Sequence, residues 1–575
     1  MQVWVGEDAT KAVDRVEFDP SSNLLVGLVL PLTEHGVPRL RVFEATSTSA
    51  IQEIMRTEEV AGSLYCIMAQ PLSANASAFC LMLAGTNGKF DHHDVLRRWS
   101  WIVREARKYG IIILGFSSDG DEKLLKAMRL LTFPNSVTNP PQWSDWFHAD
   151  LKTHTFTMQD FVHILAKFKS RLTKVSVQLP MGNFDVSIGH LRILIKEVSK
   201  DIHGLTEGLL DLKDKMNYRS TEKICSHAVT DLLSKHVPNR NATVCYLRLM
   251  RDSTEAFMDR SLPPLDRIEK IWRCLFFLRM WRQWLIREKY SVKDCFVTLN
   301  TYHCLEVNGH AIIGIVRHMR DAGLPTESFV PWKMSSQMNE NHFRKARSTT
   351  STLYTAVNFS VLDFLHRTKR IDLLNDVPAK LNENYSFPAS KRVVKIGREV
   401  HGEVAQFGSF PNDAEIISSV DKARDGALQM SEELSMDMPS YSVNAFIDFS
   451  DPSFEGFLWT EDDAASRIEE AHEHDAPEPE TQNQVSVVER DVEEDVFIAS
   501  TGAVGLKTFE GVELLPESPF VAVRDANQKT VVVRKSSLVW SLSTGKPLMD
   551  KSAQRSERVR APVPWAGSAC AGAAS

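Results

Sequence analysis

The chain has 575 residues, of which 43% are hydrophobic and 25% charged, and its formal net charge is −7. Those values are ordinary for a globular protein of two or three domains, and the acidic balance argues against a chain that is a nucleic-acid binder along its whole length. Eight scattered cysteines include no C-x-x-C pair, which argues against a zinc finger of standard spacing. The opening MQVWVGEDAT is no signal peptide, and no apolar run approaches the roughly 20 residues that span a bilayer, so a soluble intracellular protein with no membrane partner is expected.

Taken in chain order, the first 90 residues read as strands. QVWVG (Gln2–Gly6), NLLVGLVLPL (Asn23–Leu32), LYCIMAQ (Leu64–Gln70) and AFCLMLAGT (Ala78–Thr86) are short apolar runs bounded by Pro, Gly, Asn or Ser. Asp91 to Tyr109 carries Val95, Trp99, Ile102, Val103 and Ala106 on one helical face, with Asp91 or Asp94 to cap it. IIILGF predicts a strand buried on both faces, ending in SSDG, and DEKLLKAMRLL predicts the next helix. THTFTMQDFVHILAKFKSRL reads as a strand (His154–Met158) leading into a basic helix.

From Ser187 to about Leu324 the periodicity is helical, and Trp272, Phe276, Phe277, Trp281 and Trp284 read as packing between helices rather than as stacking platforms. A late helix centred on MNENHFRKARS is expected to run on into STLYTAVNFSVLDFLHRTKRI. Residues 451–500 contain 16 Asp or Glu against Arg467 and Arg490, a composition that predicts disorder. PFVAVRD and TVVVRKSSLVWSL then read as a short strand-like patch before a basic tail.

This order predicts an α/β protein: an RNase H-like mixed sheet flanked by helices, interrupted by a large all-α insertion, with a largely disordered acidic C-terminal region. The expected division is 1–186 for the first part of the core, 187–325 for the insertion and 326–400 for the closing helices. An acidic linker at 401–500 and a small strand-containing patch with a basic tail at 501–575 complete it. Such a core does chemistry when acids gather at adjacent strand ends and on a late helix. Asp8 follows the first strand, Asp119 ends the central one, and Glu340 lies on the late helix. Two or three carboxylates repel one another, and a hard dication such as Mg²⁺ relieves that repulsion. Each acid also has a plain reading: Ser-Asp-Gly is a turn signal, and Asp8 and Glu340 suit capping or solvent-facing roles.

Four blocks in register sharpen the choice. GEDATKAVDRVEFDPSSNLLVGLVLPL, GIIILGFSSDGDEKLLKAMR, FTMQDFVHILAKFKSRL and SSQMNENHFRKARSTTSTLYTAVNFSVLDFL together resemble P-element-type, THAP-associated DNA transposases. The resemblance spans roughly Val5 to Asp376, and VRKSSLVWSLSTGK is similar to the end of the divergent animal copies. It implies Asp8, Asp119 and Glu340 as the Asp-Asp-Glu ligands of Mg²⁺ or Mn²⁺. Asp160 and His163 fall on a D-x-x-H block and take a supporting role, with a core histidine as the plain alternative for His163. Asp160 is also the substitute ligand should Asp8 or Asp119 be misassigned.

The resemblance further implies transposon-end and target DNA as partners, a nuclear location, a homo-oligomer, and GTP binding by the helical insertion. For GTP the sequence offers no G-x-x-x-x-G-K-[ST] loop. This sequence opens on the first strand and reads as a copy lacking the family's N-terminal zinc module. Lys167, Lys169, Arg171, Arg344, Lys345 and Arg347 cluster near the proposed acids and as a set are expected to meet DNA phosphates, although each alone reads more readily as part of a solvated helix face. The expected activity is metal-dependent cleavage and joining of DNA phosphodiesters. The alternative is a catalytically silent descendant that binds DNA or protein in the nucleus.

Overall fold

Strand β1 (Gln2–Lys11) runs through the middle of a five-stranded sheet. The computed structural model describes residues 1–73, 76–134, 137–174, 176–210, 218–349, 358–381, 405–445, 506–524 and 529–544. After β1 come a short hairpin of β2 (Glu17–Asp19) and β3 (Leu24–Val26), then helix α1 (Thr48–Thr57). Strands β4 (Ser63–Pro71) and β5 (Phe79–Thr86) follow, both antiparallel to their neighbours. Helix α2 (His92–Lys108) leads into β6 (Ile112–Ser118), and α3 (Glu122–Thr132) and α4 (Pro141–Ser144) lead into β7 (Phe156–Gln159). Strands β6 and β7 are parallel to β1, so the sheet order is β5-β4-β1-β6-β7 and the sheet is mixed.

The centre of the sheet is covered on both faces, which is why Val3, Trp4 and Val5 of β1 are all fully buried despite alternating direction. Gly115 of β6 makes room for the Trp4 ring, since a Cβ there would lie 2.5 Å from it. Asp91 and Asp94 form the capping box of α2, as the sequence predicts, and Trp99 of that helix stacks on Phe116 of β6 at 4.8 Å. Glu7 points to the same side and is fully buried. It accepts from Arg98 Nη2 at 2.8 Å, from Trp99 Nε1 at 2.8 Å and from the Tyr65 hydroxyl.

Helix α5 (Phe161–Thr173) and the hairpin of β8 (Leu179–Met181) and β9 (Phe184–Val186) lead into the helical insertion. Helices α6 (Ile188–Glu197), α7 (Lys200–His203), α8 (Tyr218–Ile224) and α9 (His227–His236) precede α10 (Asn241–Met258), which packs against α11 (Pro264–Arg287). The short α12 (Val292–Cys295) precedes α13 (Leu299–Asp321). Trp272, Phe276, Phe277, Trp281 and Trp284 of α11 are all buried, so they pack helices together as expected. Asn308 of α13 brackets Gln159 at the open edge of β7, accepting from its N–H at 2.6 Å and donating to its carbonyl at 2.9 Å. The insertion thereby covers backbone groups that an edge strand leaves bare. The chain returns to the sheet as α14 (Gln337–Ser348) and α15 (Val361–Leu381).

Several expectations need correction. Asn23–Leu32 is not one sheet strand: only Leu24–Val26 is extended, in a separate hairpin, because Gly27 takes φ +108 with Arg15 O where a Cβ would stand. Asp8 lies inside β1 rather than after it. Helix α14 ends at Ser348 and α15 starts at Val361, so the late helix is interrupted.

The 401–500 linker contains a helix at Asp413–Glu433, whose Ile416, Val420, Ala423, Ala427 and Met430 form a buried stripe. Its Asp413 pairs with Arg317 at 3.0 Å and Arg320 at 2.7 Å. The rest of that acidic stretch, from residue 446, lies outside the described residues. The C-terminal patch is a hairpin of β10 (Phe520–Arg524) and β11 (Thr530–Arg534) followed by a helix at Lys535–Thr544, where a strand-like run was expected. Its Val521, Val523, Val533, Leu538 and Val539 share a second small core with Val16, Phe18, Leu25, Phe43 and Ile51. No helix among the described residues is long and apolar enough to cross a membrane.

Candidate functional site

Successive residues of β1 face opposite sides of the sheet. Glu7 goes to the α2 side, so Gly6, Asp8 and Thr10 face α14. A Cβ on Gly6 would sit 2.6 Å from Asn339 Oδ1, so the missing side chain is what lets the helix settle on the strand. Asn339 donates to the Cys66 carbonyl at 2.9 Å on the neighbouring strand, and Arg347 donates to Thr10 Oγ1 about two turns further along. Asp8 lies between these two anchors, paired across the strands with Cys66, and Glu340 is in the first turn of the same helix.

The parallel pairing of β1 with β6 sets Gly6 opposite Ser117. Two residues on from each lie Asp8, inside β1, and Asp119, just past the end of β6, on neighbouring strands. Burial raises the Asp8 carboxyl well above the usual carboxylate range, and the charges of Asp119 and then Glu340 push it further; the Ala9 N–H, bonded at 2.7 Å, and the His163 charge act the other way. Asp8, Asp119 and Glu340 thus share one electrostatic environment although 332 residues separate the first from the last.

Asp119 also serves its turn, accepting from the Asp121 N–H at 3.1 Å, while Asp121 caps α3. The turn reading of Ser-Asp-Gly is therefore borne out. Gly120 takes φ +91, and a Cβ there would lie 2.3 Å from Lys167 Nζ, which brings that ammonium onto the Asp119–Gly120 turn. Lys167 donates to Asn300 Oδ1 at 2.5 Å, and Asn300 Nδ2 donates to the Gly120 carbonyl at 3.3 Å, so α13 of the insertion holds the turn as well.

Asp160 follows β7 and caps α5 through the Val162 N–H at 2.8 Å. It is fully buried and pairs with His163 Nδ1 at 3.1 Å. Burial would lower the His163 imidazole, but the Asp160 carboxylate and then the Asp119 and Glu340 charges outweigh it and raise it to about 9. At neutral pH the acids around it hold His163 as an imidazolium.

The basic residues divide. Lys169 is buried and donates to Ser220 Oγ at 2.7 Å. Arg171 spends its guanidinium on the carbonyls of Phe296, Lys293 and Asp294 at 2.7, 2.8 and 2.7 Å. Both belong to the seam between α5 and the insertion, which corrects their reading as DNA contacts. Lys345 is exposed, and Arg344 is half-buried, donating to Asn341 Oδ1 at 2.8 Å; both lie just beyond Glu340. Ser336, Gln337, Asn339 and Asn300 are not singled out by the sequence; the first three share an unusually polar helix start, SSQMNEN, and Asn300 stands outside it.

Asp8, Asp119 and Glu340 offer carboxylate oxygens, the donor type that suits a hard dication. Among the described residues, no group of three or more His, Cys, Asp or Glu side chains is arranged to hold a metal ion as it stands. No family model matches the chain, and no curated protein matches it significantly. Among solved structures it is similar to one described as the Drosophila P element transposase strand transfer complex, with a TM-score of 0.46 and 12% identity, over 66% of this chain and 77% of that one.

Proposed function

We propose that this chain is a DNA strand transferase of the Asp-Asp-Glu type, a transposase or a domesticated remnant of one, acting on DNA in the nucleus. The strand order, with three antiparallel strands followed by two parallel ones, supports an RNase H-like core. The observation that carries the reading is the buried Asp8 carboxyl, raised by the charges of both Asp119 and Glu340.

Asp8 and Asp119 would hold Mg²⁺ or Mn²⁺, and Glu340 would complete the set from α14. When bound, such ions promote attack of water or a 3′-hydroxyl on a phosphodiester and stabilise the leaving oxygen. The protein's own part would be to hold Asp8 inside β1, Asp119 just past β6 and Glu340 in the first turn of α14 at fixed positions. His163 supplies a fixed positive charge beside them. Arg344, Lys345 and Arg347, with Lys167 at the Asp119 turn, would meet the DNA backbone and fix its register without reading its sequence. Transposon ends and target DNA are the proposed partners, engaged by a homo-oligomer.

A second reading, a catalytically inactive nuclear DNA- or protein-binding factor, is favoured by one observation: no three ligating side chains among the described residues stand ready to hold a metal ion. Purified protein incubated with supercoiled DNA and Mg²⁺ or Mn²⁺ separates the two. Nicking by the wild type that disappears in Asp119→Ala supports the strand transferase, whereas equal nicking by both proteins removes the catalytic assignment.

A further inference from the structure

Asp160 sits where three segments meet, and its bonds reach two of the proposed acids indirectly. Its own N–H donates to the carbonyl of Ser118, the residue before Asp119, at 2.8 Å. Its Oδ2 accepts from Ser336 Oγ at 3.3 Å and from Gln337 Nε2, residues 176 and 177 positions away at the start of α14. We infer that Asp160 is a positioning residue for Glu340, clamping the first turn of α14 at a fixed distance from the Asp8 and Asp119 strand ends. The inference rests on the strand-transferase reading above and assigns the geometry of its third acid.

Three features support the clamp. Ser336 is the N-cap residue of α14 yet makes no side-chain cap bond to its own helix. A serine there normally accepts from a backbone N–H one turn on. Here its hydroxyl donates to Asp160 instead, so a carboxylate from a distant segment stands at the helix start. A negative charge in that place also suits the helix dipole. The second feature is saturation. Oδ1 accepts from the Val162 N–H at 2.8 Å, and Oδ2 is shared by His163, Ser336 and Gln337. A fully buried carboxylate with both oxygens engaged is poorly suited to ligate a cation, which separates Asp160 from the three proposed ligands.

The third feature is leverage. Glu340 lies three residues beyond Gln337, within one turn of a helix that rises about 1.5 Å per residue. If the first turn loses its tie, Glu340 moves with it. Displacement of a reacting group by about 1 Å costs roughly 100-fold in rate, and loss of groups that orient metal ligands costs about 10–100-fold in metal affinity.

The test uses the full chain and Mn²⁺ alone as the titrant, followed by Mn²⁺-dependent DNA nicking. Gln337→Met keeps side-chain length and removes the donor. It is expected to weaken Mn²⁺ binding about 10–100-fold and to lower kcat for nicking, with the KM for DNA unchanged. If Gln337→Met binds Mn²⁺ like the wild type while Asp119→Ala does not bind it, the clamp is overturned and the strand-transferase reading stands. If Asp8→Ala and Asp119→Ala both bind Mn²⁺ like the wild type, the metal reading falls and takes the clamp with it. Should Gln337→Met fold poorly, Ser336→Ala removes one donor only, and the same split between kcat and KM decides the matter.

Discussion

Gly6 of β1 and Asn339 of α14 approach so closely that a Cβ on the glycine would stand 2.6 Å from Asn339 Oδ1 and 2.9 Å from Met338 Cε. The contact is the seat on which the glutamate helix rests. Gly6→Ala must lift the helix or displace Asn339 from the Cys66 carbonyl, and overpacking of this kind costs about 1–3 kcal/mol. The expected result is a lower urea midpoint together with a fall of roughly 100-fold in metal-dependent nicking. Wild-type stability and activity in Gly6→Ala would mean that the seat is slack.

Asp8 gives a prediction with a definite sign. Its carboxyl is raised in the fold, by burial first and by Asp119 and Glu340 next. A raised carboxyl stabilises the fold only below its unfolded value, near 3.8, and that contribution is lost as the pH climbs through the folded value. At neutral pH the raised carboxyl therefore leaves the fold less stable than in acid until a dication offsets the repulsion. In chelator at pH 7, Asp8→Asn is expected to melt above the wild type, and Mn²⁺ is expected to stabilise the wild type alone. Thermal melts showing the reverse order would refute the electrostatic account.

His163 predicts a dependence of the same sign, placed between pH 6.5 and about 9. Its imidazole titrates near 9 in the fold against 6.5 for the ordinary group. Its contribution is present in full below pH 6.5 and fades as the pH passes through about 9. A shift of that size corresponds to at most about 3 kcal/mol. His163→Gln should therefore lose most stability at pH 6 and converge on the wild type above pH 9. Denaturant unfolding at pH 6, 7.5 and 9.5 measures the difference, and a gap that does not change with pH would assign His163 a packing role only.

What the sequence made legible was local or carried by register. The capping box at Asp91 and Asp94 and the doubly buried β6 announce themselves within a few residues. Asp119 could be placed because an apolar run stops abruptly at a turn. The misses share one cause, partners far along the chain. Leu25 looks like a sheet strand until Gly27 turns the backbone away, and its real neighbours include Val533, about 500 residues on. The Ile416–Met430 stripe was hidden by the acidic composition of the region around it, although its spacing is helical. Ser336 and Gln337 looked like an ordinary polar helix start because nothing local reveals the Asp160 carboxylate they meet.

Lys169 and Lys345 make the same limitation testable, since both read as phosphate contacts from spacing alone. Lys169 is buried against Ser220, whereas Lys345 is exposed beyond Glu340. Lys169→Met removes a buried donor and leaves the Ser220 hydroxyl without it. It is expected to cost about 1–3 kcal/mol of stability and to leave the salt dependence of DNA binding as it was. Lys345→Ala should do the converse, lowering the slope of log K against log salt by about 0.9 while the unfolding midpoint holds. DNA titrations across a range of salt concentrations, paired with urea melts of the two variants, distinguish a lysine that holds the core to the insertion from one that meets the nucleic acid. Identical salt slopes for Lys345→Ala and the wild type would remove the α14 surface from the proposed DNA path.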